Sequence, residues 1–243
     1  MQNDWKELFG EEEEEENIIT IPKIPGLKLI RQALSHEQQM TIVHEIIKDG
    51  YFAGAENINQ AMCFGRLPPY ISWIETFIKQ NYPSIFVEKI MNRKQLFDQA
   101  ILNLYQKGEG IVSHVDLLRF FFMILPSFFL LNLPLIRFDD GILIISLLSS
   151  CVMTMKPANK TSLSYKKSNN DENSIRHDIL LRPGDILALS EDSRYKWEHG
   201  IEERLFDEID GDFIERGTRI SVTLRKLREG EVNDQDMVIT ASR

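Results

Sequence analysis

Three candidate metal ligands constrain this chain more than anything else in it. They are His114-Val115-Asp116 and a later histidine, His199, inside Tyr195-Lys196-Trp197-Glu198-His199-Gly200-Ile201. Asn103-Leu104-Tyr105 precedes them, and Arg219 and Arg225 follow. Two histidines and one carboxylate, the nearer pair one residue apart, are the ligand set of a mononuclear non-haem Fe(II) centre that keeps coordination positions open. Residues two apart on a strand point to one face. His114 therefore projects with Asp116, and Asn103 with Tyr105. Arg219 and Arg225 share a face about 20 Å apart at the backbone, and their inward reach leaves a gap that fits a small dicarboxylate. Guanidinium meets carboxylate as a bidentate fork, and Tyr105 and Asn103 can add neutral hydrogen bonds. His-x-Asp alone is a weak pattern; its weight comes from the order of these motifs and from the Gly-Ile after the distal histidine. His36, His44 and His177 are not expected to be ligands.

Periodicity places these residues in a mainly β chain with N-terminal helices, an α+β arrangement with a sandwich or jelly-roll core. Ser35 and Gln38 make a capping box for a helix ending near Gly50. A second helix is predicted over Pro68 to Lys79, its Tyr70, Ile71, Trp73, Ile74, Phe77 and Ile78 falling at helical spacing as core residues. Strands are predicted at Gln99–Tyr105, Gly141–Leu148, Val152–Lys156, Asp178–Leu181, Asp185–Ser190 and Arg219–Leu227. Short strands separated by turn signals suit a sandwich or jelly roll.

At 243 residues and 43% hydrophobic content one domain suffices. The formal charge of -9 includes the block Glu11 to Glu16, which reads as part of an acidic disordered tail over residues 1–20. Without that block the rest is nearly balanced. The expected folded domain runs from 21 to 228, with a polar flexible loop at 158–174 and a C-terminal tail at 229–243. Two cysteines, Cys63 and Cys151, suit a reducing compartment and argue against a disulfide framework. No secretory pattern opens the chain, so cytoplasm or nucleus is the expected location.

These motifs resemble those of the AlkB-type Fe(II)- and 2-oxoglutarate-dependent dioxygenases, over roughly residues 22 to 228. The resemblance is carried by Asn103 to Ile111, His114-Val115-Asp116, Arg194 to Ile201, and Arg219-Ile220-Ser221-Val222-Thr223-Leu224-Arg225. It implies a double-stranded β-helix core and oxidative demethylation or hydroxylation with Fe(II), 2-oxoglutarate and O2. By the same resemblance His114, Asp116 and His199 hold the iron. Arg219 and Tyr105 bind the distal carboxylate of 2-oxoglutarate, and Arg225 and Asn103 approach its chelating end. Ser221 stands where some relatives place asparagine. The motif is most similar to the branch of the tRNA wobble-uridine hydroxylase module and its fungal relatives.

One segment departs from the family. Removing Phe121 to Phe138 joins Arg119-Phe120 to Asp139-Asp140-Gly141-Ile142 and restores the family's pattern, and Arg-Phe occurs at both edges, at 119–120 and 137–138. Phe120 to Ile136 carries no charge, but seventeen residues with Pro126 and Pro134 are marginal for a membrane span. A span would also put His114 and His199 on opposite sides of a bilayer, so no membrane contact is expected. Two readings stay open: a retained short intron translated in frame, or a genuine apolar insertion at the substrate mouth.

The expected target is an RNA or DNA base, acted on by a monomer. Gln60 to Lys107, taken as the approach and lid region, carries Arg66, Lys79, Lys89, Arg93, Lys94 and Lys107 against Glu75, Glu88 and Asp98. A basic, aromatic-containing face suits phosphate contact and base stacking. The overall acidity suits a basic protein substrate such as a histone tail instead. A third reading is a catalytically impaired binding module, with the insertion blocking access.

Overall fold

The computed structural model describes residues 17–53, 58–116, 138–158, 175–229 and 237–241. The acidic block, nearly all of the apolar insertion and nearly all of the polar loop lie outside the described residues. Near the N-terminus come β1 (Ile18–Thr20), β2 (Leu27–Ile30) and helix α1 (His36–Lys48). The hydroxyl of Ser35 accepts from the Gln38 amide and the Gln38 side chain accepts from the Ser35 amide, so the predicted capping box forms. Next are β3 (Gln60–Phe64), helix α2 (Pro69–Asn81) and the short α3 (Glu88–Met91). Ile71, Ile74 and Ile78 of α2 are buried at helical spacing.

The rest is mostly strand: β4 (Gln99–Tyr105), β5 (Ile111–His114), β6 (Ile142–Leu147), β7 (Cys151–Pro157), β8 (His177–Leu181) and β9 (Ile186–Leu189). Helix α4 (Glu191–Tyr195) leads into β10 (Trp197–Ile201), followed by β11 (Phe206–Ile209), β12 (Asp212–Glu215), β13 (Arg219–Arg225) and β14 (Met237–Ala241). An eight-stranded sheet runs β1-β2-β9-β6-β13-β4-β3-β14 and a four-stranded sheet runs β5-β10-β7-β8, with every pairing antiparallel. This is the mainly β, jelly-roll class expected.

Two apolar cores follow from strand alternation. Ala100, Leu102, Ile220, Val222, Leu143 and Ile145 face the helices, with Ile42, Ile46, Ile71 and Ile74 packed on them. Ile142, Ile144, Leu187 and Leu189 face the smaller sheet through Met153, Met155 and Ile179. All six residues of β6 are buried, which suits a run that is apolar except for Ser146.

Three expectations change. Helix α2 packs on the face of the large sheet that carries Leu102 and Val222, opposite the face carrying Asn103 and Ser221, so it does not cover the site. Of that segment's cations, Lys79 pairs with Glu75, Lys107 with Glu215, and Arg93 donates to the Asp140 carbonyl. The stretch from 229 onward, expected as a tail, contains β14, which pairs along the whole of β3. Residues 18–20, assigned to the tail, form β1 against β2.

Candidate metal centre and cosubstrate cavity

The backbone brings the two histidines together. His199 of β10 lies directly across from His114 of β5, their rings 4.5 Å apart between centroids. The closeness depends on Gly200, where a Cβ would sit 2.8 Å from the Ser113 Cα and 2.9 Å from its nitrogen. Backbone cannot yield as a flexible side chain would. Gly200→Ala is therefore expected to push β5 off β10, lowering stability by about 1–3 kcal/mol. Metal affinity should fall with it, as isothermal calorimetry with Mn(II) would show.

Asp116 is two residues beyond His114 but not on the strand, which ends at His114; it sits in a turn. The turn nonetheless carries its carboxylate back toward the ring, with Oδ1 3.8 Å from the His114 Nε2. One ligand atom from each of His114, Asp116 and His199 lies within 4.8 Å of the others. The His114 Nδ1 is 2.8 Å from the Val112 carbonyl. A carbonyl can only accept, so Nδ1 carries the proton and Nε2 of the neutral ring keeps its lone pair for a metal.

Burial pushes the Asp116 carboxyl up, but Arg225, His199, His114 and Arg194 outweigh it and hold the group below the usual carboxylate range. Burial brings His199 down to about 4. At neutral pH the cluster thus presents an ionised carboxylate and a deprotonated His199 imidazole, the states that coordinate a divalent cation. Two imidazoles and a carboxylate suit Fe(II) chemically.

Register builds the neighbouring wall. On β13, Arg219 lies opposite Tyr105 and Ser221 opposite Asn103, and Asn103 is in turn opposite Gln60 of β3. A cavity of about 110 Å³ is lined by the three candidate ligands and by Asn103, Tyr105 and Arg219. Arg219 donates through Nε and NH2 to the Ser146 hydroxyl, at 3.1 and 2.8 Å, and its guanidinium lies 5.2 Å from the centre of the Tyr105 ring. Arg225 is placed differently. Its Nε donates to Gln99 at 2.9 Å, its NH1 is 3.5 Å from Asp116 Oδ1, and it stacks on Phe138 at 4.0 Å.

Residues that sequence reasoning missed complete this wall. Gln60 lines the cavity and donates to the Asn103 side-chain oxygen at 2.8 Å, and Thr223 lines it as well. Ser146 and Gln99 hold the two arginines. Nothing local marks Gln60 or Ser146, because their roles depend on pairing with distant strands. Thr223 could have been found by alternation from Arg219 and Ser221.

The sequence model of the 2OG-Fe(II) oxygenase superfamily matches residues 75–225, more than half of the chain. The chain belongs to this superfamily. It is a 2-oxoglutarate-dependent dioxygenase of AlkB-like type that uses Fe(II), 2-oxoglutarate and O2. It is 29% identical over 172 residues to an uncharacterized protein of Acanthamoeba polyphaga mimivirus, with 71% of this chain and 67% of that one covered. It is 26% identical over 182 residues to the alkylated DNA repair protein ALKBH8 homolog of Arabidopsis thaliana, covering 72% and 46%. It is 25% identical over 269 residues to the tRNA (carboxymethyluridine(34)-5-O)-methyltransferase ALKBH8 of Macaca fascicularis, covering 94% and 33%. The chain thus spans from about two thirds down to one third of these relatives.

Among solved structures, OsALKBH1 superposes with a TM-score of 0.52 at 17% identity, covering 83% of this chain and 98% of that one. A Pseudomonas putida prolyl-4-hydroxylase superposes at 0.50 and 14% identity, covering 84% and 94%. Both share the fold of this 2OG oxygenase. Among the described residues no helix is long and apolar enough to cross a membrane.

Proposed function

We propose that this 2OG oxygenase demethylates or hydroxylates a base of RNA or DNA, with iron held by His114, Asp116 and His199. The observation that carries the site is the convergence of those three ligand atoms beside a cavity walled by Arg219, Tyr105 and Asn103. Bound Fe(II), with 2-oxoglutarate and O2, supplies oxidation of a substrate C–H bond and releases succinate and CO2. Arg219, oriented by Ser146 and shielded by Tyr105, receives the distal carboxylate of the cosubstrate. Asn103, fixed by Gln60, offers a hydrogen bond nearer the metal. Arg225 keeps the Asp116 carboxylate aimed and ionised. Buried Ile144, Met153 and Ile201 border the cavity and limit water.

The nucleic-acid target is supported by two relatives, one named for alkylated DNA repair and one for tRNA modification. The methyltransferase activity in the second name belongs to a protein about three times as long, and only the target class is taken from it. Succinate release and mass spectrometry of the nucleosides, with tRNA and with N-methylated oligonucleotides, test the reading. Stimulation by a nucleic acid is expected. Stimulation by basic peptides alone would overturn the target class. Arg219→Ala should raise the 2-oxoglutarate KM about 10- to 100-fold, the worth of a charge-assisted hydrogen bond of about 1.5–3 kcal/mol.

The apolar segment bears on this assay. The described chain stops at Asp116 and resumes at Phe138, and both residues touch Arg225. Without residues 121–138, Phe120 would follow Asp116 at four steps, a reach of up to about 14 Å, and could take the place of Phe138 on Arg225. The shortened chain is therefore expected to turn over 2-oxoglutarate at least as fast as the full one. A dead shortened chain beside an active full one would show that the insertion belongs to the working enzyme.

A further inference from the structure

Arg194 is the largest fully buried side chain among the described residues, with 1% of its surface exposed. It stands on α4, ahead of the strand that carries His199. Its NH2 donates to the Phe138 carbonyl at 3.0 Å, while Nε and NH1 have no hydrogen-bond partner among the described residues. NH1 lies 3.9 Å from Asp140 Oδ1, and the guanidinium is 5.0 Å from the centre of the Tyr195 ring.

A guanidinium taken out of water is costly to bury: burial pushes the Arg194 pKa down, while Tyr195, Asp140, Asp116 and Asp139 act against that. The contacts also lead to the metal cluster. Arg194 holds the Phe138 carbonyl, the Phe138 ring stacks on Arg225, and Arg225 reaches Asp116.

We propose that Arg194 is a positioning residue for the metal ligand Asp116, acting through its fixed buried charge and through its hold on Phe138. The proposal rests on the reading that His114, Asp116 and His199 bind the metal. Residues behind a ligand typically change metal affinity or activity 10- to 100-fold when replaced. A purely structural Arg194 would change stability and leave affinity alone.

The test uses the full chain and isothermal calorimetry with Mn(II) alone, beside thermal unfolding. Arg194→Met and Arg194→Gln are expected to bind Mn(II) about 10- to 100-fold more weakly. Arg194→Lys, which keeps a cation, is expected to stay within about threefold of the parent, a loss well short of that range. Unchanged affinity in folded Arg194→Met or Arg194→Gln would overturn the proposal, as would a lysine variant as weak as the neutral ones. Failure of all three variants to fold would assign Arg194 to the fold and overturn it too. A parent chain that binds no Mn(II) would instead overturn the ligand reading beneath it.

Discussion

Asp116→Ala is expected to abolish Fe(II)-dependent succinate formation and to weaken Mn(II) binding by more than about 100-fold, beyond the range typical of residues behind a ligand. The reason is electrostatic as much as geometric. Asp116 is the one anion in the ligand set, and Arg225 NH1 stands 3.5 Å from its Oδ1. Removing the carboxylate leaves the Arg225 guanidinium without that anion beside a site that must accept a divalent cation. Asp116→Asn keeps the shape and loses the charge, so it should resemble the alanine form. Calorimetry and the succinate assay check both. Parent-like affinity in either folded variant would remove Asp116 from the ligand set.

Asp207→Ala is expected to lower stability by about 3–5 kcal/mol, because it leaves a buried arginine without its anion. Asp207 of β11 is fully buried and Arg216 nearly so. Two bonds of 2.6 Å join them in a bidentate pair. Asp207 also accepts from the Val152 amide of β7 and from Arg204 Nε, each at 2.8 Å, so one carboxylate ties the β11–β12 hairpin to the smaller sheet. In a chain of this size the loss corresponds to a drop in Tm of roughly 10 °C, measurable by calorimetry. The same group carries a pH signature. Burial raises its pKa, but the bonds from Arg216 and Val152 and the charges of Arg216 and Arg204 bring it below the ordinary value. A depressed carboxyl stabilises the fold above its unfolded pKa of about 3.9, and that stability is lost as pH falls through the folded value. The parent should therefore lose this contribution below about pH 4, and Asp207→Ala should lack that part of the acid transition.

Much of this was legible residue by residue. The strand predicted at Gln99–Tyr105 is β4 to the residue, because a short run rich in large apolar residues ends at the turn through Lys107-Gly108. Ser35 and Gln38 signalled the start of α1. The β11–β12 hairpin announced itself in Asp210-Gly211, where both residues have positive φ, at 53° and 86°, as a two-residue turn of this kind requires; it was not among the predicted strands. Strand β10 was also missed, since five residues with a glycine among them carry little strand signal. That glycine is what lets β10 approach β5.

The sequence by itself determined which side chains could do the chemistry, and that Asn103 shares a strand face with Tyr105 and Arg219 with Arg225, because those properties follow from residue type and from the two-residue repeat of a strand. Tertiary structure alone decided that β13 lies between β4 and β6, which puts Arg219 beside both Tyr105 and Ser146. It decided that Asp116 reaches the cluster from a turn, and that burial leaves His199 uncharged at neutral pH. It also buried Arg194 against the Phe138 carbonyl. Strand order and burial arise from contacts between residues far apart in the chain, and no local pattern records them.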